Sequence, residues 1–168
     1  MTTTRSIVRI DSGDGPTAPR RRDTALLTTL QSDSHTWNLV FLQIHLEGLG
    51  YDVVNLGPCV PDELIVQECR RRVPDLVVVS TLNGHGVTDG LRVIRRIRSI
   101  PAMSDKPVVI GGKLGVGGRQ PLHVVAKLVD SGYDAVFDDG APMAEFDRYL
   151  HRVVARHQRA VSSAGGTG

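Results

Sequence analysis

Asp75-Leu76-Val77-Val78-Val79-Ser80, DLVVVS, is an apolar run closed by a carboxylate on one side and a hydroxyl on the other. A strand with one face in water alternates apolar and polar residues. A strand covered on both faces reads as an unbroken apolar run, the mark of a parallel sheet with helices above and below. This stretch is therefore read as a buried parallel strand.

Working outward, the chain alternates regularly. Upstream, Thr24–Gln31 reads as a short apolar strand, Leu39–Leu49 carries apolar residues at helical spacing and ends at Gly50, and Tyr51–Leu56 is a β-branched strand. Pro61–Arg72 is a helix with proline at its first position and acids in its first turn. Downstream come a helix over Val87–Arg98, a strand over Pro107–Ile110 that runs into a glycine-rich loop, and a helix over Pro121–Ser131. A strand over Tyr133–Phe137 and a helix over Pro142–Arg159 complete the pattern. Five β-α units in succession predict an α/β fold: a flavodoxin-like (Rossmann-type), doubly wound, five-stranded parallel sheet in the order 2-1-3-4-5, with right-handed crossovers. Residues 1–23, rich in Thr, Gly, Pro, Asp and Arg, are expected to form a flexible arm, 24–159 the one domain, and 160–168 a frayed tail.

The 168 residues suffice for one proper core. A net charge of +2 does not argue for nucleic acid, and Arg70-Arg71-Arg72 and the arginines between 92 and 98 read as solvated helix faces. Cys59 and Cys69 have neither metal-ligand spacing nor a disulfide framework, which fits a reducing cytoplasm. No apolar run is long enough for a membrane span, and the first residues lack a signal-peptide core.

In open parallel sheets, ligands bind beyond the carboxyl ends of the strands. Three loops there stand out. The first holds Ser32, Asp33, Ser34, His35 and Thr36. Asp33 or Ser34 could cap the following helix, with His35 a solvated first-turn residue. Alternatively, His35 is a metal ligand whose other ring nitrogen donates to Asp33, an arrangement that fixes the tautomer and raises basicity. One histidine without convergent Cys or Glu makes no zinc site, so a metal would have to arrive already held by a cofactor. The second loop begins Ser80-Thr81-Leu82, where a small residue leaves room on the sheet and a hydroxyl can bond a heterocycle nitrogen. The third, Gly111-Gly112-Lys113-Leu114-Gly115-Val116-Gly117-Gly118, exceeds what one turn needs, and glycines let backbone approach a ligand closely. It is not a Walker A, and it does not open a first βα unit as a dinucleotide fingerprint would. A phosphoacceptor aspartate is missing from the end of the third strand, which ends in Ser80. Neither Cys59 nor Ser80 has an adjacent base in sequence.

Together the three loops resemble the vitamin B12-binding family, whose signature is Asp-x-His-x-x-Gly, Ser-x-Leu and Gly-Gly at the ends of the first, third and fourth strands. Here these are Asp33-Ser34-His35-Thr36-Trp37-Asn38, Ser80-Thr81-Leu82 and Gly111-Gly112. Within the family the chain resembles the small subunits of glutamate mutase (methylaspartate mutase), on GYDVVNLG (50–57), STLNGHG (80–86) and GYDAV (132–136). The resemblance covers about residues 24 to 150. It implies that adenosylcobalamin binds with its lower base displaced, His35 as the ligand to cobalt and Asp33 supporting His35. It also implies that Ser32, Ser34 and Thr36 bind the cofactor alongside them, while Ser80, Thr81, Leu82 and Gly111, Gly112, Lys113, Leu114, Gly115, Val116 and Gly117 line a slot for the nucleotide tail. A separate barrel subunit would hold the amino-acid substrate, glutamate or a relative, for isomerisation to 3-methylaspartate or its counterpart. No acid–base catalyst is implied in this chain. A non-enzymatic cobalamin carrier or sensor, and a cofactor-less partner protein, remain alternatives. The pattern is broken in three places. Asn38 replaces the glycine of the first loop, Asn83 the tyrosine after Ser-x-Leu, and Asp138-Asp139 a proline-containing turn. Asparagine tolerates positive φ, so a turn at 38 is expected to survive the exchange.

Overall fold

The computed structural model describes residues 22–164, so the expected N-terminal arm lies almost wholly outside the described residues. The elements are β1 (Thr24–Thr28), α1 (Trp37–Gly48), β2 (Asp52–Asn55), α2 (Asp62–Arg72), β3 (Leu76–Thr81), α3 (Gly86–Arg98), β4 (Val108–Gly112), α4 (Leu122–Asp130), β5 (Ala135–Asp138) and α5 (Met143–Ala164). A short 3-10 turn at Pro101–Met103, which the sequence pattern did not suggest, precedes β4. All neighbouring strands pair in parallel, in the order β2-β1-β3-β4-β5, as expected from the five β-α units.

Side chains alternate across each strand, so one strand serves two cores. Leu26, Val77, Val79, Val108 and Ile110 point to a cluster with Ile65 and Cys69 of α2, Val93, Ile94 and Ile97 of α3, and Leu128 of α4. Ala25, Leu27, Leu76, Val78 and Val109 point the other way, to Leu39 and Leu46 of α1 and Phe146 and Leu150 of α5. β3 lies at the centre and is buried along its whole length, which is why it reads as unbroken apolar sequence.

Boundaries shift in physically sensible ways. Pro61 precedes α2 in extended conformation (φ −61°, ψ 142°), one residue earlier than the first-position proline expected. β4 continues through Gly111 and Gly112, which pair with Ser80 and Thr81. The last helix does not stop at Arg159 but runs to Ala164, so the expected tail is helical at its start. α1 is apolar nearly all round: Leu39 and Leu46 are buried, while Trp37 (85% exposed), Val40, Phe41 and Ile44 face outward. The two cysteines differ sharply. Cys59 is exposed in a left-handed backbone conformation (φ 53°), whereas Cys69 is fully buried.

Candidate functional site

The site follows from the two-residue period of the strands. On the α1/α5 face, β3 presents Leu76, Val78 and then Ser80, while β4 presents Val109 and then Gly111. Register places Ser80 beside Gly111, and Gly111 beside Phe137. Large side chains thus give way to a hydroxymethyl and a hydrogen in one row across the sheet. Above that row lies a cavity of about 270 Å³, roofed by Asn38, Phe41 and Leu42 of α1 and by Met143 and Phe146 of α5. His45 Nε2 and Asp147 Oδ1, 2.6 Å apart, tie the two roof helices together.

Backbone geometry also demands the glycines here. Gly112 has φ +107°, and a Cβ there would run into the Thr81 carbonyl. At Gly111 a Cβ would sit 3.0 Å from the Phe137 carbonyl oxygen.

At the carboxyl end of β1, Asp33 is fully buried and spends both oxygens. Oδ1 accepts from the backbone N–H of His35 at 2.9 Å and pairs with His35 Nδ1 at 2.7 Å. Oδ2 accepts from the backbone N–H of Leu82 at 2.5 Å. Burial pushes the Asp33 carboxyl up, but the N–H groups of His35 and Leu82 and the His35 ring outweigh it. Its pKa is held below the ordinary carboxylate value. An ionised Asp33 can only accept, so Nδ1 donates to it, the tautomer in which Nε2 keeps its lone pair for a metal. The His35 side chain is 52% exposed.

The helix-cap reading is not borne out. α1 begins at Trp37, its N-cap residue is Thr36, and no side chain caps it. Neither Asp33 nor Ser34 serves as the cap. The first and second loops are laced together as well. Asn83 Nδ2 donates to Ser32 Oγ at 2.5 Å, and Ser32 donates to Asp89, which Arg92 holds at 2.7 Å. Thr81 Oγ1 donates to Asn83 Oδ1.

Asn38 is the second residue of α1 and is helical. Among the described residues, positive φ outside glycine occurs at Cys59 and Val73. The expected turn at Asn38 does not exist, because the helix starts one residue before it. Its Nδ2 donates to Ser80 Oγ at 2.5 Å, and its Oδ1 is buried without a partner. Asp138 lies at the far side of the cavity. One of its oxygens accepts from the Gln120 N–H, and Oδ1 is buried without a partner.

Of the residues singled out from sequence, Ser80, Leu82, Gly111, Gly112 and Lys113 line the cavity. Ser32, Asp33, Ser34, His35 and Thr36 form the β1 loop, joined to β3 through the Asp33–Leu82 bond. Thr81 is fully buried in the sheet. The glycine loop divides after Lys113. Leu114 turns into the core of the opposite face, Gly115 abuts the Gln120 side chain, Val116 packs over Gly84, and Gly117 has nothing within 4 Å of its would-be Cβ. These four do not line the cavity, because the chain turns toward the α3 side at Leu114. Sequence reasoning missed Phe41, Leu42, Phe137, Asp138 and Phe146. Following the period from Val109 and Gly111 across to β5 would have found Phe137. Phe146 depends on how α5 docks and has no local signal.

Among the described residues, no group of three His, Cys, Asp or Glu side chains could hold a metal ion by itself, and no helix is long and apolar enough to cross a membrane.

Comparison with known proteins gives concordant results. Residues 24–146 match the family model of the B12 binding domain. The chain is 26% identical over 120 residues to the glutamate mutase sigma subunit of Fusobacterium nucleatum, covering 71% of this chain and 88% of that one. It is 30% identical over 115 residues to the glutamate mutase sigma subunit of Carboxydothermus hydrogenoformans, covering 68% and 83%. Among solved structures, a cobalamin-binding protein from Desulfitobacterium hafniense superposes with a TM-score of 0.62 at 20% identity, over 77% of this chain and 59% of that chain, a likeness of fold.

Proposed function

We propose the role that follows from one premise: the chain belongs to the B12-binding domain family. It serves as the cobalamin-binding small subunit of an adenosylcobalamin-dependent isomerase of the glutamate mutase type. The name shared by its relatives, glutamate mutase sigma subunit, supports this reading and implies that it works with another subunit. That partner, in our reading, is a barrel subunit that holds the amino-acid substrate.

The observation that carries the proposal is the buttressed histidine beside a cavity opened by small residues. The residues fit the group. His35 offers Nε2 while Asp33 occupies Nδ1, the support expected behind a metal-ligating imidazole. Beyond it, the cavity floored by Ser80 and Gly111 offers an apolar slot with buried polar atoms still to be satisfied. When bound, the group supplies the radical chemistry of a carbon-skeleton rearrangement. This chain's residues bind and orient. His35 would hold cobalt, Asp33 would fix the imidazole plane and its tautomer, and Leu82 N–H would pin Asp33 to β3. Ser80, Leu82, Gly111, Gly112 and Lys113 would receive the nucleotide tail.

Mixing purified protein with adenosylcobalamin and recording its absorbance tests the proposal. The expected product is a bound species with the lower base off and histidine on cobalt. In His35→Ala that signature disappears. Failure of the wild-type protein to take up the cofactor at high concentration overturns the proposal. Mutase activity after adding a large subunit distinguishes the isomerase from a mere carrier.

A further inference from the structure

We propose that Asn38 and Ser80 act as one recognition pair that reads an amide-like edge, a hydrogen-bond donor beside an acceptor, on the group entering the cavity. The inference rests on the cobalamin reading above and assigns a specific task to a residue at which this chain departs from the family pattern.

Both side chains line the cavity, and Ser80 is 5% exposed. Asn38 Nδ2 donates to Ser80 Oγ at 2.5 Å. A hydroxyl that accepts this bond still has a proton to give. Asn38 Oδ1, on the same amide, is buried with no partner. The pair therefore presents one donor, the Ser80 O–H, beside one acceptor, the Asn38 carbonyl. Rotating the amide by half a turn exchanges the two roles and again leaves one donor and one acceptor. A buried acceptor left unpaired costs more than a net hydrogen bond returns, so a ligand that supplies the missing donor gains from both terms.

The complementary ligand edge is a primary carboxamide or the amine-and-ring-nitrogen edge of an aminoheterocycle. A cobamide can offer either: carboxamides around the corrin ring, or a lower base that carries an amine. Asn38 alone could instead be an obstruction in the slot, and the two ideas differ in sign. An obstruction binds tighter when trimmed, and a recognition pair binds more weakly.

The test is a titration of wild type, Asn38→Ala and Asn38→Asp, followed by absorbance, with two probes: cobalamin, and a cobamide whose lower base is adenine. Alanine suits a helix interior, and aspartate keeps the shape and the acceptor but has no amide donor, so Ser80 turns its proton onto it and the pair offers acceptors only. Both variants are expected to raise Kd about tenfold, the worth of one well-placed hydrogen bond, while the histidine-on spectrum at saturation stays unchanged. A loss with both probes assigns the edge to the corrin carboxamides. A loss with the adenine cobamide alone assigns it to the lower base. Equal or tighter binding of both probes by both variants overturns the inference and leaves the cobalamin reading standing. If wild type takes up neither probe, that reading falls and the inference falls with it.

Discussion

One residue separates two rows across the same sheet. Val79, Ile110 and Val136 stand side by side on the face covered by α2, α3 and α4, where Val79 and Ile110 are completely buried. Ser80, Gly111 and Phe137 stand side by side on the face covered by α1 and α5, and a cavity lies over them. The backbone is shared, and so are the hydrogen bonds of the ladder. The packed face and the open face differ because of which side chains the two-residue period delivers to each. A binding slot can thus be written into a strand without touching the core on its other side.

This comparison makes predictions that separate stability from binding. The largest effect is expected on the packed face. Ile110→Ala should lower unfolding free energy by about 2–5 kcal/mol, the cost of an internal void, measured by the urea midpoint. Ser80→Leu on the open face should do the opposite. Its added volume goes into the existing cavity, so the urea midpoint holds while cobalamin affinity, measured by absorbance titration, drops about a hundredfold, or roughly 2.7 kcal/mol. Equal losses of stability in the two variants would mean that the faces are not independent.

The smallest effect concerns the rim. The Asp33 carboxyl has a folded pKa below its ordinary 3.8. Its contribution is fully present above that ordinary value and is lost as pH falls through the lower folded value. Urea midpoints taken from about pH 6 to about pH 3 should therefore show a shallower acid limb in Asp33→Asn than in wild type, with a loss near neutrality of about 1–2 kcal/mol from the weakened bonds to Leu82 N–H and His35.

The sheet order was legible because DLVVVS, six residues long and rich in valine, reads as a strand covered on both faces, and because β and α segments alternate without interruption. Much of the slot was legible too, since small residues at the ends of β3 and β4 sit where bulky ones would continue the pattern. The role of Asp33 was not. A short Asp-x-His serves a helix start as well as it serves a buttressed imidazole; they are separated by where α1 begins, at Trp37 with no side-chain cap, and by the 2.7 Å contact of Asp33 with His35 Nδ1. The split of the glycine loop at Leu114 was hidden for a related reason. Leucine in a glycine-rich stretch carries no sign of which side of the sheet it will join, and its partners in the α3 core are remote in sequence. Asn38 read as a tolerated turn residue because the start of α1 was placed two residues too late.

The contrast between the two thiols has a practical use. Cys69 is sealed in the α2 core, and burial pushes its thiol up to about 12, so it stays protonated and out of reach of alkylating reagents. Cys59 is exposed, and its backbone N–H donates to the carbonyl of Asp33 at 2.7 Å. Native protein thus carries one addressable attachment point, wired by a single bond to the loop that presents His35. A fluorophore placed there would report occupancy of that loop without any engineered cysteine.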